Sequence, residues 1–213
     1  MAYDHQEQEQ LDALRAWFQT WGKPIAAGIV VAAIAFGGWT GWNYWTAKQS
    51  MAASGIYDEL TQAAQAGKTD DAKRLAGMLT SDYSRTAYAA MGALLAGKTE
   101  AVAKDYKGAQ AHFEWVIEHG KLDEFVAMAR LRLAAVQADQ NDYDGALKTL
   151  ASGIPASFEA LAADRRGDIY QAQGRKDDAR KAFAEALEKL PLKRDTQNLR
   201  QIIEIKRDAL GEA

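Results

Sequence analysis

Between Lys23 and Lys48 the chain runs for 24 residues without a charge, PIAAGIVVAAIAFGGWTGWNYWTA, and only Thr40, Asn43 and Thr46 in it are conventionally polar. As a helix this run spans about 36 Å, more than the roughly 30 Å of a bilayer's hydrocarbon core. Aromatic rings gather at both ends, with Trp17, Phe18 and Trp21 before the run and Trp39, Trp42, Tyr44 and Trp45 at its far end. Amphipathic rings collect at headgroup level, so the pattern reads as a membrane helix with two interfacial belts. Of the 6 tryptophans only Trp115 lies elsewhere.

Two other readings fit less well. A buried core helix is usually shorter and has no reason to carry aromatic clusters at both ends. A cleaved signal peptide opens with a basic region and closes on small residues. Here Asp4, Glu7, Glu9 and Asp12 stand against Arg15 and Lys23, and the run ends in bulky rings. The expectation is an uncleaved signal anchor crossing the lipid bilayer over residues 24–47. Arg15 and Lys23 precede it and only Lys48 lies close behind, which places residues 1–23 in the cytoplasm and residues 48–213 across the membrane, in the periplasm of a bacterium with its inner membrane. Within the first segment Leu11, Leu14, Trp17, Phe18 and Trp21 recur at helical spacing. They predict an amphipathic helix at the interface that turns near Gly22 and Pro24, or a continuous extension of the membrane helix. Ala33, Gly37 and Gly41 form a small face suited to packing against a second membrane helix, although glycine enrichment in such helices explains them equally.

The remaining chain is different in kind, and the mean hydropathy of -0.36 averages the two. Lys and Arg number 26 against 29 Asp and Glu, a net charge of -3 that excludes the basic balance of a nucleic-acid binder. Zero cysteines exclude disulfides, thiolate metal sites and a thiol nucleophile. From about Thr46 to Gly55 small and polar residues predict a short link or fraying helix end. Beyond it, Ala, Leu, Glu, Lys, Gln and Arg dominate without period-two alternation, so helices are expected throughout. Breaks fall near 67–70, 81–85, 98–105, 119–123, 141–144, 153–155, 174–177 and 191–195.

These segments repeat. Gly167, Tyr170, Ala179, Phe183, Ala186 and Pro191 reproduce the second half of the 34-residue tetratricopeptide pattern at its intervals, while Ala163 and Arg166 depart from its earlier bulky positions. Upstream, Ala146 and Leu150 align with Ala179 and Phe183, as do Ala109 and Phe113, and Gly97 precedes Ala109 by the same 12 residues that separate Gly167 from Ala179. A more degenerate unit places Ala72 and Ala76 there. The expected fold is all-α, a single transmembrane helix followed by a TPR-like α-solenoid of three or four helical hairpins. A last helix, from about Asp195 to Leu210, caps the stack through Leu199, Ile202, Ile203, Ile205 and Leu210.

Glu9-Gln10, Phe18, Gly22-Lys23, the Gly41-Trp42-x-Tyr44-Trp45 end of the anchor, the stretch Leu131 to Val136 and Arg166-Gly167-Asp168 together resemble the ancillary SecYEG translocon subunit family, also called the YfgM family. The resemblance spans essentially the full length. It implies a single-span inner-membrane protein whose periplasmic repeat domain associates with the SecYEG translocon and with periplasmic chaperones such as PpiD.

Signals of chemistry are weak. His112 and His119 share a helix face but lack metal-ligand spacing, and His5 sits in a polar terminus. Asp70-Asp71, Asp123-Glu124 and Asp177-Asp178 read as helix-start residues that complement the dipole and cap free amides. Neither a nucleophile elbow nor a phosphate loop is present, so an envelope hydrolase is disfavoured and no cofactor is expected. Partner contacts are expected on the first helix of each pair: Met91 and Met128 for adaptable apolar contact, Asp164, Asp168 and Gln171 for polar contact. The expected function is a non-enzymatic, membrane-anchored scaffold near a translocon that binds chaperones and helps handle translocated proteins. The alternative is an adaptor of another envelope assembly, such as cell division or cell-wall synthesis.

Overall fold

The structure, a computed structural model, describes the backbone of residues 2–211 and the side chains of residue 11 and residues 14–211. Among the described residues every regular element is helical: α1 Ala2–Gln65, α2 Thr69–Asp82, α3 Ala87–Val102, α4 Tyr106–His119, α5 Asp123–Asp139, α6 Tyr143–Leu150, α7 Glu159–Ala172, α8 Lys176–Lys189 and α9 Gln197–Asp208. Single 3-10 turns at Ala156–Phe158 and Arg194–Thr196 precede α7 and α9. The chain divides into two compact units, residues 1–49 and 50–213.

In the first unit α1 carries the charge-free run, and its most apolar window is wholly exposed. By length and composition it is able to cross a membrane. Thr40 donates its hydroxyl to the carbonyls of Phe36 and Gly37 at 2.9 and 3.0 Å, and Thr46 to those of Trp42 and Asn43 at 3.0 Å. These side chains spend their polar groups inside their own helix, as an apolar solvent requires. At two places the structure takes one of the alternatives that the sequence leaves open. The helix passes through Pro24 without a turn, and residues 46–55 are helix rather than link. One proline removes a single backbone donor, which strong helix formers on both sides tolerate, and the Met, Ala, Gln and Ser of the second stretch carry no breaker but Gly55.

The second unit is a stack in which each core overlaps the next. The end of α1 packs with α2 around Leu60, Leu75 and Leu79; α3, α4 and α5 meet around Phe113 and Val116; α5, α6 and α7 around Leu150 and Ile169; α7, α8 and α9 around Phe183 and Ile203. The four hairpins are therefore α1 end with α2, α3 with α4, α5 with α6, and α7 with α8, followed by α9.

One turn recurs in all four. Gly67, Lys104, Asn141 and Gly174 have φ of 69°, 63°, 62° and 73°, each five residues before a fully buried alanine: Ala72, Ala109, Ala146 and Ala179. The next residue's N–H returns to the carbonyl five back at 2.9 Å in every case, Lys68 to Ala63, Asp105 to Glu100, Asp142 to Gln137 and Arg175 to Tyr170. That is the Schellman closure, which satisfies the last carbonyls of one helix while aiming the chain into its partner. The second helix then starts in one of two ways. Asp105 and Asp142 accept from the N–H of Gly108 and Gly145 at 3.0 Å. Lys68 and Arg175 make no side-chain cap, and the acidic pairs Asp70-Asp71 and Asp177-Asp178 sit in the first turn. Those pairs, like Asp123-Glu124, thus occupy first turns as expected, but the capping of amides falls to Asp105 and Asp142.

Helix crossings use compensating volumes. A Cβ at Gly97 would come within 2.7 Å of the Phe113 ring, and one at Gly167 would overlap Phe183. Sixteen residues separate each glycine from its ring; at the same spacing the third hairpin has Ala134 with Leu150 and the first has Leu60 with Ala76, all buried. Small opposite large, in either order, keeps the crossings filled.

Candidate partner-binding surface

Met91 and Met128 come together. They line one hollow of about 380 Å³ with Tyr57, Leu94, Leu95, Phe125 and Phe158, on the side formed by the first helices of the hairpins. The backbone repeat places them there, since α3 and α5 lie side by side, and the rings of Tyr57 and Tyr88 meet at a tilt of 48° with centroids 5.7 Å apart. Both methionines are half-buried, and Met128 packs against the core around Phe113.

The three polar candidates divide. Lys206 of α9 donates to Asp164 at 2.9 and 3.1 Å and pairs with Asp168 at 2.8 Å, with Arg165 a further 3.5 Å from Asp168. Burial raises the Asp168 pKa, against the opposing effect of Lys206. Burial also acts to lower that of Lys206, but hydrogen bonds to both acids leave it raised. Asp164 and Asp168 thereby fasten the terminal helix to α7, whereas Gln171, further along α7, is exposed. Ile203 of α9 and Leu210 just beyond it are buried while Ile202 and Ile205 stay exposed, so only part of the terminal apolar set caps the stack.

In the first unit Ala33, Gly37 and Gly41 are exposed, and a Cβ built on either glycine meets nothing within 4 Å.

A charged cluster escaped the sequence reading. Glu100 of α3 is 0% exposed, with Lys73 Nζ and His112 Nε2 each 3.5 Å from its carboxylate and Asp105 3.2 Å from the same lysine. Its two oxygens make no hydrogen bond among the described residues. The signal existed: Ala93, Ala96 and Gly97 mark the buried stripe of α3, and Glu100 is its next member. His119 instead stacks on Trp115 at 5.0 Å, and the side chain of His5 lies outside the described residues. Among the described residues no group of three His, Asp or Glu is arranged to hold a metal.

Residues 15–212 match the family of the tetratricopeptide repeat-like domain. The chain is 32% identical to the ancillary SecYEG translocon subunit of Neisseria gonorrhoeae over 99% of its own length and 100% of that relative. It is 31% identical to the subunit of the same name from Haemophilus influenzae, covering 87% and 91% of the two chains, and 28% identical to that from Escherichia coli, covering 83% and 85%. Among solved structures, MamA from residue 41 to its end, from Desulfovibrio magneticus, has a TM-score of 0.51 at 18% identity over 73% of this chain and 85% of that one, a likeness of fold alone. A repeat stack of this architecture, aligned with those relatives over 83% or more of its length and with one of them end to end, makes the chain a member of the ancillary SecYEG translocon subunit family.

Proposed function

We propose that the chain is a membrane-anchored scaffold of the SecYEG translocon in a bacterial inner membrane. Residues 24–47 cross the bilayer, residues 1–23 stay in the cytoplasm and residues 48–213 stand in the periplasm. There the repeat domain binds chaperones of the PpiD kind and assists the folding of emerging proteins. The observation that carries this reading is the end-to-end match to a relative named as a translocon subunit. The exposed, aromatic-flanked helix supports the anchor.

Such a scaffold needs no chemistry of its own. Tethering confines the repeat domain near the exit of the translocon, which raises its effective concentration toward partners held there. The Ala33, Gly37 and Gly41 face meets a translocon helix, Met91 and Met128 supply adaptable contact, and Gln171 a polar one. Asp164 and Asp168 serve first to hold α9. Affinity purification of the full chain from solubilised membranes tests the reading. SecYEG and a membrane-anchored chaperone are the expected co-purifying proteins; recovery of only division or wall-synthesis proteins would reject it.

A further inference from the structure

Three hollows on the repeat unit, of about 500, 380 and 390 Å³, share one lining residue, Lys98 of α3. The second and third also share Arg132 of α5. Apolar walls flank the two cations, with Met91, Phe125 and Met128 to one side and Val102 to the other. Val102 is largely exposed, an open apolar surface beside a charge.

Neither cation has an acid of its own among the described residues. Among the described residues Lys98 makes no hydrogen bond or ion pair, and Arg132 donates from Nη1 to the Leu94 carbonyl at 2.9 Å without meeting a carboxylate. Burial pushes the Arg132 pKa down, with nothing opposing it. Arg166, Arg175, Arg180, Lys189 and Lys206 hold carboxylates within 3.0 Å, whereas Arg130 and Arg200, like Arg132, donate to backbone carbonyls. A half-buried guanidinium carries a desolvation cost that an arriving carboxylate offsets through charge-assisted hydrogen bonds. Glu124 and Asp139 line the outer parts of the same hollows without pairing to either cation. They repel further acids and so restrict where negative charge is welcome.

We propose that this groove binds an extended protein segment in which one acidic side chain, flanked by apolar residues, seats on Lys98 and Arg132. The flanking side chains fill the hollow beside Met91 and Met128 and the surface around Val102. Methionine walls adapt to different shapes, so the groove selects a charge pattern rather than a fixed sequence. Two cations bounded by two acids offer no positive strip for a nucleic-acid backbone. The inference rests on the scaffold reading for its premise that the repeat face takes a protein partner, and it adds the chemistry by which that partner is chosen.

Selection from a phage-displayed library of random peptides of about ten residues, on the full chain held in lipid nanodiscs, tests it. Enriched sequences should carry one Asp or Glu between apolar residues, and replacing that acid by its amide should weaken binding about ten-fold. Arg132 also holds a backbone carbonyl, so the exposed Lys98→Glu is the variant whose outcome is independent of folding. Selection on it should shift the central position toward Lys and Arg. Enriched sequences without an acid, the same preference on Lys98→Glu, or no enrichment above empty nanodiscs would overturn the proposal. Recovery of SecYEG by the parent chain is scored separately, so a failed selection leaves the translocon reading standing and a failed recovery leaves the groove's preference measured.

Discussion

The carboxylate of Glu100, fully buried in the first helix of its hairpin, lies 3.5 Å from Nε2 of His112 in the second. Burial raises the Glu100 pKa above its ordinary 4.5, with Lys73 opposing, and burial lowers that of His112 below 6.5. The fold thus favours the protonated acid, a stabilisation fully present below about pH 4.5 and lost as pH rises through the raised value. It also favours the neutral imidazole, a stabilisation present above about pH 6.5 and lost as pH falls through the lowered value. Thermal unfolding followed from about pH 4 to about pH 9 should show Glu100→Gln removing a loss of stability that sets in as pH rises above about 4.5, and His112→Gln removing a loss that sets in as pH falls below about 6.5. Profiles parallel to the parent's would remove this cluster as a source of pH dependence.

Gly167 and Phe183 make a second coupled pair, because a Cβ on the glycine overlaps the ring. Gly167→Ala should cost about 1 to 3 kcal/mol by overpacking. Adding Phe183→Leu recreates the Ala134 and Leu150 combination of the neighbouring hairpin and should recover part of that loss, a coupling of about 1 kcal/mol in a double-mutant cycle by urea unfolding. Additive effects would mean that the crossing does not depend on matched volumes.

Lys206 joins α9 to α7 through Asp164, which is only 13% exposed. Lys206→Met should lower stability by about 1.5 to 3 kcal/mol, the range for hydrogen bonds to charged groups. Hydrogen exchange should then speed in α9 before the rest of the stack. Uniform exchange across the unit would show that the ion pair does not fasten the terminal helix.

Val31, the eighth residue of the proposed anchor over residues 24–47, is exposed along with its neighbours. Val31→Arg should disfavour insertion by about 2.5 to 3.5 kcal/mol and release the chain on alkaline extraction of membranes. With no native cysteine, Met51→Cys reports orientation: an impermeant thiol reagent should label it in intact spheroplasts. Labelling only after lysis would reverse the topology.

Much of the repeat was legible because its signals are local. Gly67, Gly174 and Pro191 mark turns by backbone chemistry, and Gly97, Ala109, Ala146 and Gly167 mark crossings by size. Lys104 occupies the same left-handed position as Gly67, yet lysine has no preference for it, so the turn's recurrence emerges only from the backbone. Glu100 escaped because a charge is ordinarily solvated, and Lys206 because it meets Asp164 across 42 residues of sequence. Proline suggested a turn at residue 24, where the preferences of the surrounding helix prevail. Met91 and Met128 were each legible as candidates on the first helix of a pair, but their meeting in one hollow was not, nor was the unpaired state of Lys98 and Arg132, which depends on which acids the fold leaves out of reach.

Site-specific photocrosslinking in living cells tests the scaffold account most directly. One probe replaces Gly37 on the membrane helix and another Met128 on the repeat face. The account predicts adducts with SecYEG subunits from the first position, and with a periplasmic chaperone or translocating protein from the second. Adducts from both positions that contain only division or cell-wall enzymes would contradict it.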